Sequence, residues 1–350
     1  MWRAATWLAL VGVVACGEAA PGGRDGGAGV DAAQPALVVR IVDAEVRLVG
    51  VVGEALVMQG EVDDGAAPLT YAWLTDDGTI VGAGELLDTS PLPVGDHVLR
   101  VEVTDATGRV GVSAPRELHV LPESFDWSHR LRPSAPPAPG DWLTPVRHQQ
   151  QCGSCWAYAA IAAMEARYNI QQGDPDLDVD LSEQDLIDCW TGAVGCGGGA
   201  PEQALDGYVL SLGVPTEACR PTLGRDDVCR AQCADGSDPA RWRITSFEFG
   251  PTASQDADAV RRFMQDSIVH DGPMPRAVVY MYGWDPTTKM CTPAGGDHFA
   301  LVVGYDHRDQ TWLVRNSWGA SWNGNGYFEI RYGNCAIDAA ASVVGAVIAP

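Results

Sequence analysis

One ten-residue stretch, Gln149 to Tyr158, constrains what this chain can form more than any other. Its sequence is QQQCGSCWAY, and it places Cys155 directly before a run of strong helix formers, residues 157–172. Gly173 follows this run and is typical of a helix end. The pattern therefore predicts a helix with Cys155 at its N-terminus. The helix macrodipole favours a thiolate there, and a thiolate is a nucleophile.

Three further residues lie where they could complete a thiol-based active site. His298 is in GGDHFALVVGY, 143 residues after Cys155, and Asn316 is in VRNSWG, 18 residues after His298. Gln149 stands six residues before Cys155. Peptide hydrolysis by a thiol needs a base, a group that orients the base, and donors for an oxyanion. An imidazole and two side-chain amides can supply these three functions.

Together these motifs resemble the papain-like cysteine peptidases over residues 122–350. Cys-Gly-Ser-Cys-Trp is a signature of that family. The segments LPESFDW, LSEQDLIDC and GCGGG, which begin at residues 121, 181 and 195, follow in the family's order. The resemblance implies an α+β fold, with a two-lobed catalytic domain made of a helical lobe and a β-barrel-like lobe.

The resemblance also implies a role for each residue of the predicted site. Cys155 and His298 would form an ion pair, in which the imidazolium stabilises the nucleophilic thiolate and then acts as general acid. Asn316 would hold the imidazole. Gln149 and the backbone N–H of Cys155 would form the oxyanion hole. Four more residues would bind substrate or shield the site: Gly198, Gly199, Phe299 and Trp318. No cofactor and no metal ion is expected.

Two departures from the family pattern concern specificity. Phe299 stands where the family usually has a small residue that faces the main specificity pocket, so this pocket should be narrow. The cysteine-rich segment 219–233 resembles that of cathepsin B but lacks the histidines that dock a substrate's C-terminal carboxylate. We therefore expect an endopeptidase. The alternatives are a catalytically silent surface binding protein, or a transpeptidase or acyl transferase that uses the same acyl-enzyme.

The chain has ten cysteines. Eight remain when Cys16, a predicted lipidation site at the end of the N-terminal apolar run, and Cys155, the predicted nucleophile, are set aside. An even remainder in an exported chain predicts four disulfides. The eight are Cys152, Cys189, Cys196, Cys219, Cys229, Cys233, Cys291 and Cys335. The resemblance implies the pairs Cys152–Cys196 and Cys291–Cys335. It pairs Cys189 with Cys229 or Cys233, and Cys219 with the other; a zinc site at Cys229 and Cys233 is the weaker alternative.

The N-terminus carries the features of an export signal. Residues 1–15 contain one basic side chain and an apolar run that is too short to span a membrane. The run ends in VVAC, which resembles the lipobox of bacterial lipoproteins and makes Cys16 the predicted lipidation site; an ordinary signal peptide is the alternative. Residues 16–36 are rich in Gly, Ala and Pro and predict a flexible tether. We expect an outer-membrane or cell-surface lipoprotein, or a periplasmic or secreted protein if Cys16 is not lipidated.

Residues 37–121 contain short β-type runs separated by turn signals such as DDG and DATG. They predict a small antiparallel sandwich, and they resemble PKD-type immunoglobulin-like modules of bacterial surface proteins, with Trp73 in the core. Four carboxylates are candidates for a calcium site, although turn formation is the favoured interpretation. They are Asp63, Asp64, Asp76 and Asp77.

The formal net charge of the chain is −23. Such an acidic protein is a poor match for nucleic acid and for anionic membrane surfaces. The expected partners are protein or peptide substrates, and contact with a membrane is expected only through the N-terminal lipid. We expect a monomer.

Overall fold

The structure is a computed structural model, and it describes residues 36–42, 48–137, 140–254, 256–293 and 296–350. The predicted signal peptide, the lipidation site Cys16 and all of the tether except its last residue lie outside these ranges. Within these ranges, no helix is both long enough and apolar enough to cross a membrane.

Residues 37–121, here called the N-terminal β module, form two sheets. One has the strand order β1-β3-β6; the other has the order β2-β9-β7-β4-β5, with β8 paired to β7. All pairs are antiparallel except β2 with β9, which is parallel and so departs from the predicted purely antiparallel arrangement. The strands are β1 Val39–Val42, β2 Leu48–Val51, β3 Val57–Val62, β4 Thr70–Thr75, β5 Ile80–Ala83, β6 Leu86–Asp88, β7 Gly95–Thr104, β8 Val110–Val112 and β9 Arg116–Leu121.

Trp73 lies at the centre of the core of this module. Its side chain is fully buried among apolar residues from both sheets, such as Met58 and Leu99. Its indole Nε1 donates a hydrogen bond to the carbonyl of Gly84 at 3.0 Å, which satisfies the one polar group that the ring brings into the core. The predicted core position of Trp73 is therefore confirmed.

The four acidic residues considered for calcium are used in other ways. Three form ion pairs: Asp63 with Arg40, Asp64 with Arg109 and Asp76 with Arg100. The carboxylate of Asp77 accepts hydrogen bonds from the Thr75 hydroxyl at 2.6 Å and from the Thr79 N–H at 3.0 Å, which closes a turn. These contacts agree with the interpretation of the cluster as turn and surface residues.

The rest of the chain, residues 122–350, forms the C-terminal module. Its main sheet has the strand order β10-β16-β17-β18, and β13 pairs with β16. The strands are β10 Ser124–Asp126, β11 Arg243–Ile244, β12 Phe247–Thr252, β13 Met274–Val278, β14 Trp284–Asp285, β15 Met290–Cys291, β16 His298–Asp306, β17 Thr311–Arg315, β18 Tyr327–Arg331, β19 Ala340–Val344 and β20 Val347–Ile348. The helices are α1 Cys155–Gln172, α2 Glu183–Cys189, α3 Pro201–Gln203, which continues as a π-helical turn over Ala204–Val209, and α4 Ala257–His270.

Helix α1 is the central helix of this module and packs against β16 and β13. It begins at Cys155 and ends at Gln172, as the sequence predicts. Gly173 takes the left-handed conformation, with φ 66°, and its N–H bonds to the carbonyls of Asn169 and Ile170. The helix is buried on most of its circumference, as expected for an apolar helix inside a two-lobed domain.

Four disulfides connect cysteines within the described residues. They are Cys152–Cys196, Cys189–Cys229, Cys219–Cys233 and Cys291–Cys335. Of the two pairings left open by the sequence, the structure has the one that joins Cys189 to Cys229. Since Cys229 and Cys233 are both oxidised, neither thiolate is available to bind zinc.

The two modules join without a linker. Strand β9 ends at Leu121 and β10 begins at Ser124. The Leu121 carbonyl accepts a hydrogen bond from Val52 at 2.9 Å, within the N-terminal module. The next carbonyl, that of Pro122, accepts from the Tyr305 hydroxyl at 3.0 Å, within the C-terminal module. The chain therefore passes from one hydrogen-bonded sheet to the other in three residues.

Side chains also connect the modules. Strands β2 and β9 contact α4. The Glu54 carboxylate lies 2.7 Å from Nε2 of His307. Nearby, the hydrogen bond and the charge of Asp266 raise the pKa of His270 to about 9, against the opposing effect of burial. Between the modules, carboxylate oxygens of Asp96 and Asp266 lie 3.5 Å from Nε2 of His270 and 3.4 Å from Nδ1 of His119, respectively. This interface therefore holds several carboxylate–imidazole contacts.

Candidate active site

The loop before α1 fixes the position of Cys155. The Cys152–Cys196 disulfide fastens this loop to the turn at Gly195–Gly197. The N–H of Gly153 donates to the Cys196 carbonyl at 3.1 Å, and a side chain at Gly153 would clash with that oxygen. The glycine of the Cys-Gly-Ser-Cys motif is therefore required by this close approach of two backbones. Cys155 is half-buried and is the free cysteine among the described residues.

His298 and Asn316 come together because β16 and β17 are antiparallel neighbours. His298 is the first residue of β16, and Asn316 follows the last residue of β17. The Nε2 atom of His298 lies 2.7 Å from Oδ1 of Asn316. That oxygen also accepts the N–H of Ser317 at 2.8 Å, which holds the amide with its oxygen towards the ring. Nε2 is therefore the nitrogen that carries hydrogen, and Nδ1 is left to face another group.

Gln149 is held by contacts at both ends of its amide. Its Nε2 donates to the Cys152 carbonyl at 2.9 Å, and its Oε1 accepts from the Ser317 hydroxyl at 2.6 Å. Because the amide has two N–H groups, one remains for a further acceptor. Ser317 is not among the predicted site residues, although it lies between two that are, Asn316 and Trp318. It links the oxyanion-hole candidate to the asparagine.

Trp318 lies against the imidazole. The ring centroids of Trp318 and His298 are 4.7 Å apart. Tyr282 stacks on Trp318 with the ring centroids 5.9 Å apart, and Trp322 meets Trp318 edge-on at 5.2 Å. This aromatic layer keeps water from the hydrogen bond between the histidine and the asparagine, which strengthens that bond.

The predicted substrate-binding residues have different surroundings. Gly198 has φ 124°, and no atom lies near the position of an added Cβ. Its N–H donates to the Gly195 carbonyl at 3.2 Å, and its carbonyl accepts from the Val194 N–H at 2.9 Å. At Gly199 an added Cβ would meet the Trp156 ring at 2.7 Å. Phe299 is half-buried in β16 opposite Ala277 of β13. The contacts of Gly198, Gly199 and Phe299 with a substrate stay predictions.

A family model described as papain family cysteine protease matches residues 121–345. The chain belongs to this family. The predicted papain-like α+β fold is thereby confirmed, and it agrees with the few helices and many strands of the C-terminal module. The N-terminal β module lies before the matched region.

The papain-family relatives include plant and animal proteases. Thiol protease aleurain of Arabidopsis thaliana is 32% identical over 231 residues, which cover 61% of this chain and 62% of the relative. Cathepsin K of Gallus gallus is 32% identical over 244 residues, which cover 67% and 69%. The chain thus spans less than two thirds of the aleurain. Among solved structures, a cysteine protease of Carica candamarcensis in complex with E-64 aligns with a TM-score of 0.48 and 26% identity, covering 65% of this chain and 99% of that one.

Burial shifts the pKa of both residues of the predicted catalytic pair, Cys155 and His298. It raises the pKa of the Cys155 thiol, although backbone N–H groups, including that of Phe299, partly oppose this by donating to sulfur. Burial also lowers the pKa of His298 to about 4, against the hydrogen bond with Asn316. Each of these shifts, taken alone, favours the neutral form of the group, because desolvation penalises the charged form. The thiolate expected at the helix N-terminus stays a prediction.

Two buried carboxyl groups lie behind the site. Glu165 of α1 accepts the N–H of Leu181 at 2.9 Å and the hydroxyl of Thr144 at 2.5 Å, and burial raises its pKa to about 7. Burial and the charge of Glu165 raise the pKa of Glu183 well above its ordinary value. Glu183 also lines a cavity of about 110 Å³ with Arg147. Sequence reasoning missed this pair because its burial depends on the packing of α1 against α2, although Glu183 lies in the LSEQDLIDC segment.

Replacing Glu183 with glutamine should raise the melting temperature by several degrees at pH 8 and leave it unchanged at pH 4. A buried acid whose pKa is raised on folding costs no stability below its unfolded pKa, near 4.5. It costs progressively more stability as pH rises through the folded pKa. Thermal unfolding at both pH values measures the effect. Glu117→Gln, at an exposed position, is the control, and an equal gain at pH 4 would contradict the explanation.

Proposed function

We propose that the C-terminal module is an endopeptidase that cleaves protein or peptide substrates through an acyl-enzyme on Cys155. One observation carries the proposal. The contact between His298 and Asn316, 2.7 Å long, leaves Nδ1 of the imidazole free, while the Cys155 sulfur lies beside the N–H of Phe299, the residue next to His298. Thiol and imidazole thus belong to one enclosed site, with the base held by an amide.

The first half of the reaction would transfer one proton and form one bond. The thiol proton moves to Nδ1 of His298 as sulfur attacks the peptide carbonyl. The two charges created together offset the desolvation that each would suffer alone. The free N–H of Gln149 and the backbone N–H of Cys155 receive the developing oxyanion. The C–N bond then breaks, and His298 returns its proton to the leaving amine.

The second half would release the acid product. Water attacks the thioester carbonyl while His298 takes one of its protons. The collapse of this second tetrahedral intermediate breaks the C–S bond, and the proton returns to sulfur. Asn316 accepts from Nε2 throughout, which keeps Nδ1 towards the reacting atoms.

Labelling with an epoxysuccinyl thiol-protease inhibitor tests the proposal. The full chain should be labelled once, at Cys155, and should then lose the ability to digest a peptide library. A chain that is labelled nowhere and cleaves nothing, in the presence of reductant, would favour a catalytically silent binding protein. Aminolysis products exceeding hydrolysis products when amine nucleophiles are added would favour a transferase.

Phe299→Ala should broaden the preference at P2, the second residue before the cleaved bond, towards Leu, Phe and Tyr. A phenyl ring at this position fills about the volume of a substrate side chain. Burial of an apolar side chain contributes roughly 1.5–3 kcal/mol, so the ratio of kcat/KM for P2 Phe over P2 Ala should rise about tenfold or more. Paired fluorogenic peptides measure this ratio. An unchanged ratio would show that Phe299 does not line the pocket.

We also propose that the protein is exported and held at a membrane by lipid on Cys16, and that its N-terminal β module is of the PKD or immunoglobulin-like type. The VVAC motif and the following polar tether support the anchor. Cys16→Ser should move the protein from the membrane pellet to the soluble fraction without changing peptide hydrolysis. A mutant that stays in the pellet would contradict lipid anchoring.

A further inference from the structure

Four side chains with metal-binding atoms meet where the two modules touch. Asp96 of β7 and His119 of β9 are cross-strand partners in the N-terminal β module. Asp266 and His270 lie one turn apart at the end of α4 in the C-terminal module. Each module therefore contributes one carboxylate and one imidazole, and we call these four residues the interface cluster. None of them belongs to the candidate active site.

The distances within the interface cluster fit a shared ion. Oδ1 of Asp96 lies 3.1 Å from Nδ1 of His119 and 3.5 Å from Nε2 of His270. One ligand atom from each of these three residues lies within 4.8 Å of the others. Zinc binds nitrogen and oxygen at about 2.0–2.2 Å, so neighbouring ligands of a tetrahedral site stand about 3.3–3.5 Å apart. The two distances from Asp96 are close to this value, and the ligand atoms of His119 and His270 lie within 4.8 Å of each other.

Asp266 contacts His270 on the side of the imidazole that faces away from Asp96. Its Oδ1 lies 2.9 Å from Nδ1 of His270, on the opposite side of the ring from the nitrogen that faces Asp96. The backbone carbonyl of Asp266 lies 3.0 Å from the same nitrogen and meets it with hydrogen-bond geometry. Metal-binding histidines typically donate their second N–H to a carboxylate or a backbone carbonyl, which fixes the ring and increases its basicity. Asp266 is almost fully buried, whereas Asp96 is exposed, so an ion can enter from the side of Asp96.

His119 supplies an independent indication of a ligand. Its Nδ1 is buried, and no atom of the described residues completes a hydrogen bond with good geometry to it, although two carboxylate oxygens lie within 3.4 Å. A buried polar nitrogen without such a bond is costly. An ion placed between His119, Asp96 and His270 would satisfy it.

We propose that Asp96, His119 and His270 form a zinc site that fastens the N-terminal β module to α4 of the peptidase domain. Two imidazoles and one carboxylate suit zinc, whereas calcium and magnesium prefer a larger set of oxygen ligands. A water molecule from the open side would be the fourth ligand. The ion would cross-link two strands of one module to a helix of the other.

Zinc titration of the full chain, purified without a histidine tag, tests this site. The protein should carry Cys155→Ala, because a catalytic thiolate and His298 would themselves bind zinc. Calorimetry at pH 8 should give one site per chain. Cobalt in place of zinc should give the strong visible absorption of a tetrahedral nitrogen and oxygen site.

Matched variants separate the interface cluster from other sites. His119→Ala and His270→Ala should each weaken zinc binding at least a hundredfold, and Asp266→Asn about tenfold with the stoichiometry kept. His97→Ala, next to Asp96 on the same strand, should bind as the parent does. Excess zinc should raise the melting temperature of the parent by several degrees and leave that of His119→Ala unchanged.

Equal zinc affinity in the parent and in the His119→Ala, His270→Ala double variant would overturn the proposal. Failure of the parent to bind zinc would also overturn it and leave the cluster as an ion-pair network between the modules. His119→Gln keeps most of the bulk of the side chain, so it serves as a second variant if His119→Ala does not fold. Circular dichroism and melting of the ion-free variants verify that each one is folded.

Discussion

Cys155→Ala should reduce kcat/KM for peptide hydrolysis by at least a thousandfold without loss of the fold. Cys155 takes part in no disulfide, so its removal leaves the four cross-links intact. The proposed acyl-enzyme forms on its sulfur, and a methyl group can neither attack the carbonyl nor leave as a thiolate. Removal of a nucleophile from such a unit typically costs several orders of magnitude in rate. Initial rates with a fluorogenic peptide measure the loss.

Cys155→Ser is the matched control for packing. It replaces the thiol with a somewhat smaller hydroxyl that can also form hydrogen bonds but has a far less acidic proton, so it too should be nearly inactive. Both variants should melt within about two degrees of the parent. Hydrolysis by Cys155→Ala above a thousandth of the parent rate would contradict the assignment of the nucleophile.

His298→Ala should be as inactive as Cys155→Ala, whereas Asn316→Ala should retain about one hundredth to one tenth of the parent kcat. The imidazole carries the proton in both halves of the reaction, and general acid–base catalysis by such a group typically contributes 10²–10⁴-fold, to which loss of thiol activation adds. Asn316 only orients the ring through the 2.7 Å contact with Nε2. Rates for both variants across pH 5–9 measure the difference.

The pH profile distinguishes orientation from loss of structure. Asn316→Ala should keep a pH-dependent rate, since His298 is still present, while the residual rate of His298→Ala should lose the limb that the imidazole produces. His97→Ala, at a partly buried histidine of the N-terminal β module, should match the parent. Equal inactivity of both site variants with unchanged melting temperatures would show that Asn316 does more than orient the base.

The residues that lie in motifs could be predicted from the sequence. Cys155 was expected at a helix start, and α1 begins at that residue. His298, Asn316 and Gln149 were expected together, and the structure places His298 against Asn316 and connects Gln149 to Asn316 through Ser317. These predictions rest on short segments in which several residue types occur at fixed spacing.

The features that sequence reasoning missed depend on long-range packing. The pairing of Cys189 with Cys229 depends on how the 219–233 segment folds back, and spacing alone cannot choose it. The raised thiol pKa of Cys155 depends on how deeply the finished fold encloses the sulfur. The interface cluster is assembled from residues of two modules that are far apart in sequence, so no local pattern marks it.

The short junction between the modules determines how a bound partner would reach the cleft. From Leu121 to Ser124 an extended chain spans only about 10 Å, and both ends are held in sheets. The N-terminal β module is thus held in one orientation relative to the peptidase, unlike a domain that is joined by a flexible linker. A protein captured by it would present the same stretch of its surface to the cleft at every encounter. Inserting glycines after Pro122 would widen the range of orientations that the N-terminal β module can take. Cleavage would then be spread over more positions of the captured protein.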